Sequence, residues 1–465
     1  MKLRLFALFA LFSVCIVPAG GERYSEDNPL YPLAWYNKGV ALSALGRYDE
    51  AIKCYDNAIE LDPDYVLAMN SKGIALSALG RLEEALDCYN RSLEIEPDYA
   101  PAWNNMGVGL EGQGRLEEAL RSYEKALEID PNYALVWSNK GGIFYSWGDY
   151  NRSIECYERA VEIDPELKEA WNNMGRSLNA AGQYDRSIEC YEEALKLDPS
   201  YAQAWNNKGI ALSSLGHHQE ALSCYEETLK IDPGHVMALY NKGIALGILG
   251  RYEEAVSCYE EVTRLDPGHA PAWYNQGVAL GALGRFEEAL TNYEEALKID
   301  PGYAPAWNNR GIALAVLGRQ DEALQSYEEA LKLKPSYAMA WYNKGVALST
   351  LGRYQEAVVC YDEALKLDPS YSQAWNNKGI ALSALGRHEE AIACYERALE
   401  AETGVTGAES GIEAGFENDL VQQNETEVQE GPDLQRPEVE NEPGQMSDLD
   451  LENRTIEAKV DLEEG

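Results

Sequence analysis

Histidine is scarce in this 465-residue chain: only His217, His218, His235, His269 and His388 are present. None belongs to a ligand spacing such as H-E-x-x-H. Each falls where two periodic segments join, so a solvated turn role is expected. Basic side chains are also few, 39 against 78 acidic ones, which leaves a formal charge of −39. Nucleic-acid binding is driven by basic side chains that release counterions, so nucleic acid is excluded as a partner. An anionic membrane surface is an equally poor one. No glycine-rich phosphate loop occurs, because the glycines follow a fixed period. Paired carboxylates occur as Glu-Glu steps such as Glu253-Glu254 and Glu287-Glu288. No inserted segment offers room for a catalytic domain. The chain is therefore not read as an enzyme: no catalytic residue, metal site, cofactor or small-molecule substrate is expected.

What is present is a period. Ala338 to Tyr371 is thirty-four residues long, and the same text recurs without insertion on both sides. Eleven copies are read, at 32–65, 66–99, 100–133, 134–167, 168–201, 202–235, 236–269, 270–303, 304–337, 338–371 and 372–405. With Ala338 as position 1, a first helix is expected from about Met339 to Leu351, stopped by Gly352. A second runs from Gln355-Glu356 to Asp368-Pro369, where proline ends it. Turning about 100° per residue puts Trp341, Gly345 and Leu348 on one side of the first helix. Positions 2, 5, 6, 9, 12 and 13 fall on the other. The second helix carries its apolar stripe at Tyr354, Ala357, Val358, Tyr361, Ala364 and Leu365. Neither helix buries its stripe alone, so the copies must stack. The fold class expected is all-α.

Trp at 4, Gly at 8, Ala at 20, Tyr at 24, Ala at 27 and Pro at 32, repeated every thirty-four residues, resembles the tetratricopeptide repeat. The likeness covers about four-fifths of the chain, and the phrasing WNNKGIALSALGR is similar to long prokaryotic, especially archaeal, arrays. It implies a right-handed superhelical solenoid whose concave face holds peptides or protein segments. Two departures stand out. Position 7, leucine in the family, is Lys38, Lys72, Lys140, Lys208, Lys242, Lys344 and Lys378, with Arg310 in another copy. Such a stem can pack while its charge reaches water. The last copy lacks the terminal proline and a clear capping helix.

Position 6 is asparagine in ten copies: Asn37, Asn105, Asn139, Asn173, Asn207, Asn241, Asn275, Asn309, Asn343 and Asn377. An amide offers donor and acceptor together, so such a row could bracket the backbone of an extended peptide. The other reading is that each asparagine bonds a neighbouring helix. Tyr36, Tyr240, Tyr274 and Tyr342 at position 5, with Val or Ile at position 9, would add rings and short aliphatics to the same groove. The third to fifth copies break the monotony with Glu111, Tyr145, Arg176 and Asn179. Selectivity needs polar and aromatic groups at particular places, and these four form a candidate specificity patch. Local drift of the repeat text is the alternative.

Eight of nine cysteines share position 23: Cys54, Cys88, Cys156, Cys190, Cys224, Cys258, Cys360 and Cys394. Equivalent points on stacked helices lie about 8–10 Å apart, whereas a disulfide needs Cα atoms within roughly 7 Å. They read as small packing residues.

The ends differ. Met1 to Arg4 is basic, Leu5 to Val17 is apolar except for Ser13, and Ala19-Gly20-Gly21 offers small residues. Residues 1–21 have the layout of a signal peptide, so export to the cell envelope or beyond is expected; an uncleaved N-terminal anchor is the alternative. Cys15 follows Val14, which argues against lipidation. Residues 22–31 form a polar lead-in. Residues 401–465 hold nineteen acidic and three basic side chains, and 406–465 is expected to be a disordered acidic tail. Asn90, Asn151, Asn424 and Asn453 begin glycosylation sequons.

The expectation is a non-enzymatic scaffold that binds other proteins or peptides. The alternatives are end-to-end self-association through the uncapped last copy, or an accessory subunit that recruits substrates to a separate enzyme.

Overall fold

A computed structural model of the protein describes residues 30–403. The expected signal peptide, the acidic tail, Cys15, Asn424 and Asn453 lie outside the described residues. Among those described, every regular element is an α-helix. The helices come in pairs, an A helix and a B helix in each thirty-four-residue copy: Ala338–Thr350 with Tyr354–Leu367, and Val66–Ala78 with Leu82–Ile95. The first A helix, Leu30–Ser43, starts two residues inside the expected polar lead-in. The last B helix, His388–Thr403, is two residues longer than its counterparts, because no proline stands where the others stop.

Each corner has a local cause. The A helix ends at a glycine in the left-handed region, φ +71° at Gly250 and +73° at Gly352, a conformation that costs a side-chain-bearing residue strain. The next arginine pairs with a glutamate three residues on, Arg251 Nε to Glu254 Oε1 at 2.7 Å. After the B helix, an aspartate folds back on the chain: Asp198 Oδ1 accepts the Ser200 N–H at 2.9 Å. The tryptophan of the next copy fastens this turn. Trp205 Nε1 donates to the Pro199 carbonyl at 3.1 Å, and Trp103 to Pro97 at 2.8 Å.

Two compact units divide at Ile143/Phe144. In residues 30–143, one continuous core runs through Tyr55, Leu76, Leu86, Tyr89, Leu110 and Tyr123. In residues 144–403, the largest core cluster gathers Leu222, Tyr225, Leu246, Tyr259, Leu280 and Tyr293. The same contact organises both. The position-24 tyrosine of the B helix lies flat against the position-8 glycine of its A helix. A Cβ on Gly243 would sit 2.6 Å from Tyr259 Cε1, and one on Gly73 would sit 2.4 Å from Tyr89 Cε1. Glycine is the residue that lets the two helices close on a buried ring.

Candidate protein-interaction face on the A helices

Successive A helices meet one another as well as the B helices beside them. Their non-core stripe is consequently only half open. Tyr240 and Tyr274, expected to line a groove, are 4 % and 1 % exposed. Tyr274 packs against Tyr293 and Tyr303, with ring centroids 5.9 and 4.9 Å away. These position-5 rings are core, because helical turning alone does not count the A helix of the neighbouring copy. Positions 2 and 13 at the helix ends stay open, and between them positions 6 and 9 are partly exposed, as at Asn207 and Ile210 or Asn343 and Val346.

The asparagine row is bonded through the stack. Asn105 donates to Asn70 Oδ1 at 3.0 Å and Asn139 to Asn104 Oδ1 at 2.9 Å in the first unit. In the second, Asn207, Asn241 and Asn343 donate to Asn172, Asn206 and Asn308. Asn275, Asn309 and Asn377 donate to the hydroxyls of Tyr240, Tyr274 and Tyr342 at 2.9–3.0 Å. Every bond reaches from position 6 to position 5 of the preceding copy. Asn275 and Asn309 are 3 % and 0 % exposed. These two, expected to bind peptide, are closed into the stack. Asn37 is exposed, and Asn105, Asn139, Asn173, Asn207, Asn241, Asn343 and Asn377 stay partly exposed.

The position-7 cations do more than reach water. Lys208 Nζ lies 2.7 Å from Glu192, Lys344 3.0 Å from Glu328, and Lys378 2.6 Å from Asp362. Arg310 and Glu294 make the same pair at 3.0 Å; in the first unit Lys72–Asp56 and Lys140–Glu124 do so at 2.6 and 3.2 Å. Each joins a copy to position 25 of the one before it; where the copy has a tryptophan, the cation also lies over it, as Lys208 is over Trp205 at 5.8 Å. A signal for these ties was present in the sequence, a lysine and an acid sixteen residues apart, repeated at the period.

The four candidate specificity residues belong to different units. Glu111, in the first unit, accepts the buried Tyr123 hydroxyl at 2.8 Å. Serine has the same partner in other copies, as between Ser349 and Tyr361 at 3.2 Å. Glu111 thus supports the core tyrosine. Tyr145, Arg176 and Asn179 lie in the second unit. The Arg176 guanidinium is stacked on the Tyr145 ring, 4.9 Å from its centroid. Arg176 occupies position 9, elsewhere mostly valine or isoleucine, and no carboxylate among the described residues pairs with it. Asn179 Oδ1 is buried without a hydrogen-bond partner. Nearby, Ser153 and Ser177, both departures from alanine, share a buried hydrogen bond of 2.9 Å.

Family models described as tetratricopeptide repeat match residues 32–65, 66–99, 100–133, 134–167, 338–371 and 372–402. Two-copy models of the same description match 167–234, 200–268, 240–304 and 274–338. The chain belongs to the tetratricopeptide repeat (TPR) family. A 37-residue stretch is 46% identical to an uncharacterized protein of Methanocaldococcus jannaschii; it is 8% of this chain and 43% of that relative's length. Among solved structures, the chain is similar to YrrB, described as a TPR protein with an unusual peptide-binding site. The identity is 25%, the TM-score 0.38, and the match covers 41% of this chain and 98% of that one. It is also similar to the Cut9–Hcn1 structure from APC/C, at 15% identity and TM-score 0.43, covering 84% of this chain and 89% of that one.

The TPR stack also settles the environment of the cysteines and histidines. The position-23 residues are thiols, mostly buried. Burial pushes Cys190 up to about 12 and Cys224, Cys258 and Cys360 up to about 11. Such groups are poor nucleophiles and poor metal ligands at neutral pH. Two histidines expected to be solvated turns instead cap helices. His235 Nδ1 accepts the Ala238 N–H and His269 Nδ1 the Ala272 N–H, both at 3.1 Å. His269 also lies against the Tyr240 ring at 4.8 Å, and burial holds its pKa below the usual imidazole value. A polar residue just before an apolar helix was the available cap signal, but histidine is not a customary cap.

Proposed function

We propose that this TPR chain is a non-enzymatic scaffold that holds an extended protein segment against the half-exposed stripe of its A helices. Position-9 aliphatics supply apolar contact. The second N–H of each half-exposed asparagine is left to meet a backbone carbonyl of the bound segment. Selection takes place at Tyr145, Arg176 and Asn179, and the preferred partner presents a carboxylate there. No cofactor, metal, nucleic acid or small molecule takes part. The observation that carries the reading is Arg176 itself. In a chain with 39 more negative than positive groups, a half-buried guanidinium stacked on a tyrosine has no acidic partner among the described residues.

Fluorescence anisotropy with acidic and neutral peptides tests it on the full chain. Arg176→Glu should weaken acidic peptides by about 10- to 100-fold, the range for a hydrogen bond to a charged group. Their salt dependence should fall as well. Equal affinity and equal salt dependence in the variant would mark the irregular copies as drift.

We further propose that the protein is exported, its mature chain beginning near Glu22. Intact-mass measurement of the native protein checks this. A chain that retains residues 1–21 supports the anchored alternative.

A further inference from the structure

Four kinds of contact recur at the internal junctions of the array, the charged one wherever position 7 is a lysine or arginine rather than Met106, Met174 or Gln276. The position-28 aliphatic packs on the position-3 alanine of the next copy, as Leu331 does on Ala340. Position 21 packs on position 10, as Leu86 approaches Gly109. Position 6 donates to position 5, and the position-7 cation meets the position-25 acid. At the last copy the first half of each contact is laid bare. Ile392 and Leu399 are 56 % and 63 % exposed, whereas their counterparts Leu324 and Leu331 are both 7 % exposed. Asn376 and Glu396 are exposed, with no hydrogen bond or ion pair from another copy among the described residues. At the first copy the second half is laid bare. Ala34 and Ala41 are exposed, although the alanines equivalent to them, such as Ala340 and Ala313, are fully buried. Asn37 and Lys38 are exposed, and Lys38 rests on its own tryptophan, with no carboxylate among the described residues in an ion pair with it.

We infer that the last copy of one molecule docks the first copy of another, and that the occupant of this exposed apolar face is a second copy of the chain. The faces complement each other residue by residue: Leu399 over Ala34, Ile392 over Ala41, the Asn37 amide to Asn376, and Lys38 to Glu396. No new surface is required, because the junction repeats those already inside each molecule. The two faces differ, so the contact is heterologous. Each docked molecule leaves one of each kind open, and growth continues past the dimer. This goes beyond the proposed grip on peptides and shares only Asn37 with it.

Sedimentation equilibrium of the full chain tests the inference. The average mass should rise above 51.7 kDa with concentration and pass that of a dimer. Ile392→Glu with Leu399→Glu should raise the dissociation constant about 100-fold or more, the order set by two aliphatic side chains left unburied. Circular dichroism should be unchanged, because both residues are exposed in the single chain. Lys38→Glu alone should weaken association about twofold to fivefold, and adding Glu396→Lys to the same chain should restore it. A monomer at every concentration would overturn the inference and leave the face to another protein or to the chain beyond residue 403. Association that Ile392→Glu/Leu399→Glu does not touch would overturn it too.

Discussion

Asn309 donates its side-chain amide to the hydroxyl of Tyr274 at 2.9 Å, across the boundary between two copies, with the asparagine fully buried. Residues that a peptide-clamp reading assigns to the surface therefore hold the stack together. Replacing Asn207, Asn241, Asn275 and Asn309 with alanine removes four such bonds. At about 1 kcal/mol per bond, the array should lose about 4 kcal/mol. Urea titration followed by circular dichroism measures this, and an unchanged midpoint would show the bonds to be energetically idle.

The two invariant glycine positions should fail for different reasons. Gly243→Ala drives a methyl group to 2.6 Å from Tyr259 Cε1, and overpacking of this kind costs about 1–3 kcal/mol. Gly250→Ala meets nothing within 4 Å but must hold φ near +71°, a strain of about 1–2 kcal/mol. Shrinking Tyr259 to leucine should partly rescue the first variant and leave the second untouched, which thermal melts of the single and double variants will tell apart.

The thiols give a base-side signature. Cys190 is pushed up to about 12 and Cys224 up to about 11 by burial, against about 8.5 for an unfolded thiol. A group whose folded pKa is raised gives its full stabilisation below the unfolded value. Stability should hold up to about pH 8.5 and decline as pH climbs toward the folded values. Colorimetric thiol titration at pH 8 should be slow for the native chain and fast in denaturant. Fast labelling without denaturant would contradict the buried assignment.

His269 should act in the opposite direction. Its pKa is lowered by burial, with Asp266 opposing, and only the neutral ring can accept the Ala272 N–H. The stabilisation is present above the unfolded value of about 6.5 and is lost as pH falls below it. His269→Asn keeps a capping acceptor without the titration. The melting-temperature difference between pH 7 and pH 5 should shrink in that variant; an equal difference would place the acid sensitivity elsewhere.

The charge ties admit a direct measurement. Lys208 is mostly buried, while its partner Glu192 is about half exposed, so solvent screens the pair. A double-mutant cycle with Lys208→Met and Glu192→Gln should return a coupling of about 0.5–1 kcal/mol that fades in 1 M salt. Zero coupling at low salt would reduce the lysine to a packed stem.

Helix boundaries, the copy register, the position-8 glycines and the burial of the cysteines were all legible in the sequence. Each follows from local backbone preference or from one helix's period, and eleven near-identical copies repeat the message. Only the tertiary structure decided what the A-helix stripe does. Turning at 100° per residue assigns one buried face per helix, and it placed Tyr274 and the asparagines in a groove. Within each unit, A helices are flanked on a second side by the A helices of adjacent copies. That contact pairs residues thirty-five apart, buries Tyr274 and uses the Asn309 amide, and no local pattern contains it. The ends complete the same point. Ile392 repeats an ordinary core position, and it is exposed at 56 % where no further copy follows among the described residues.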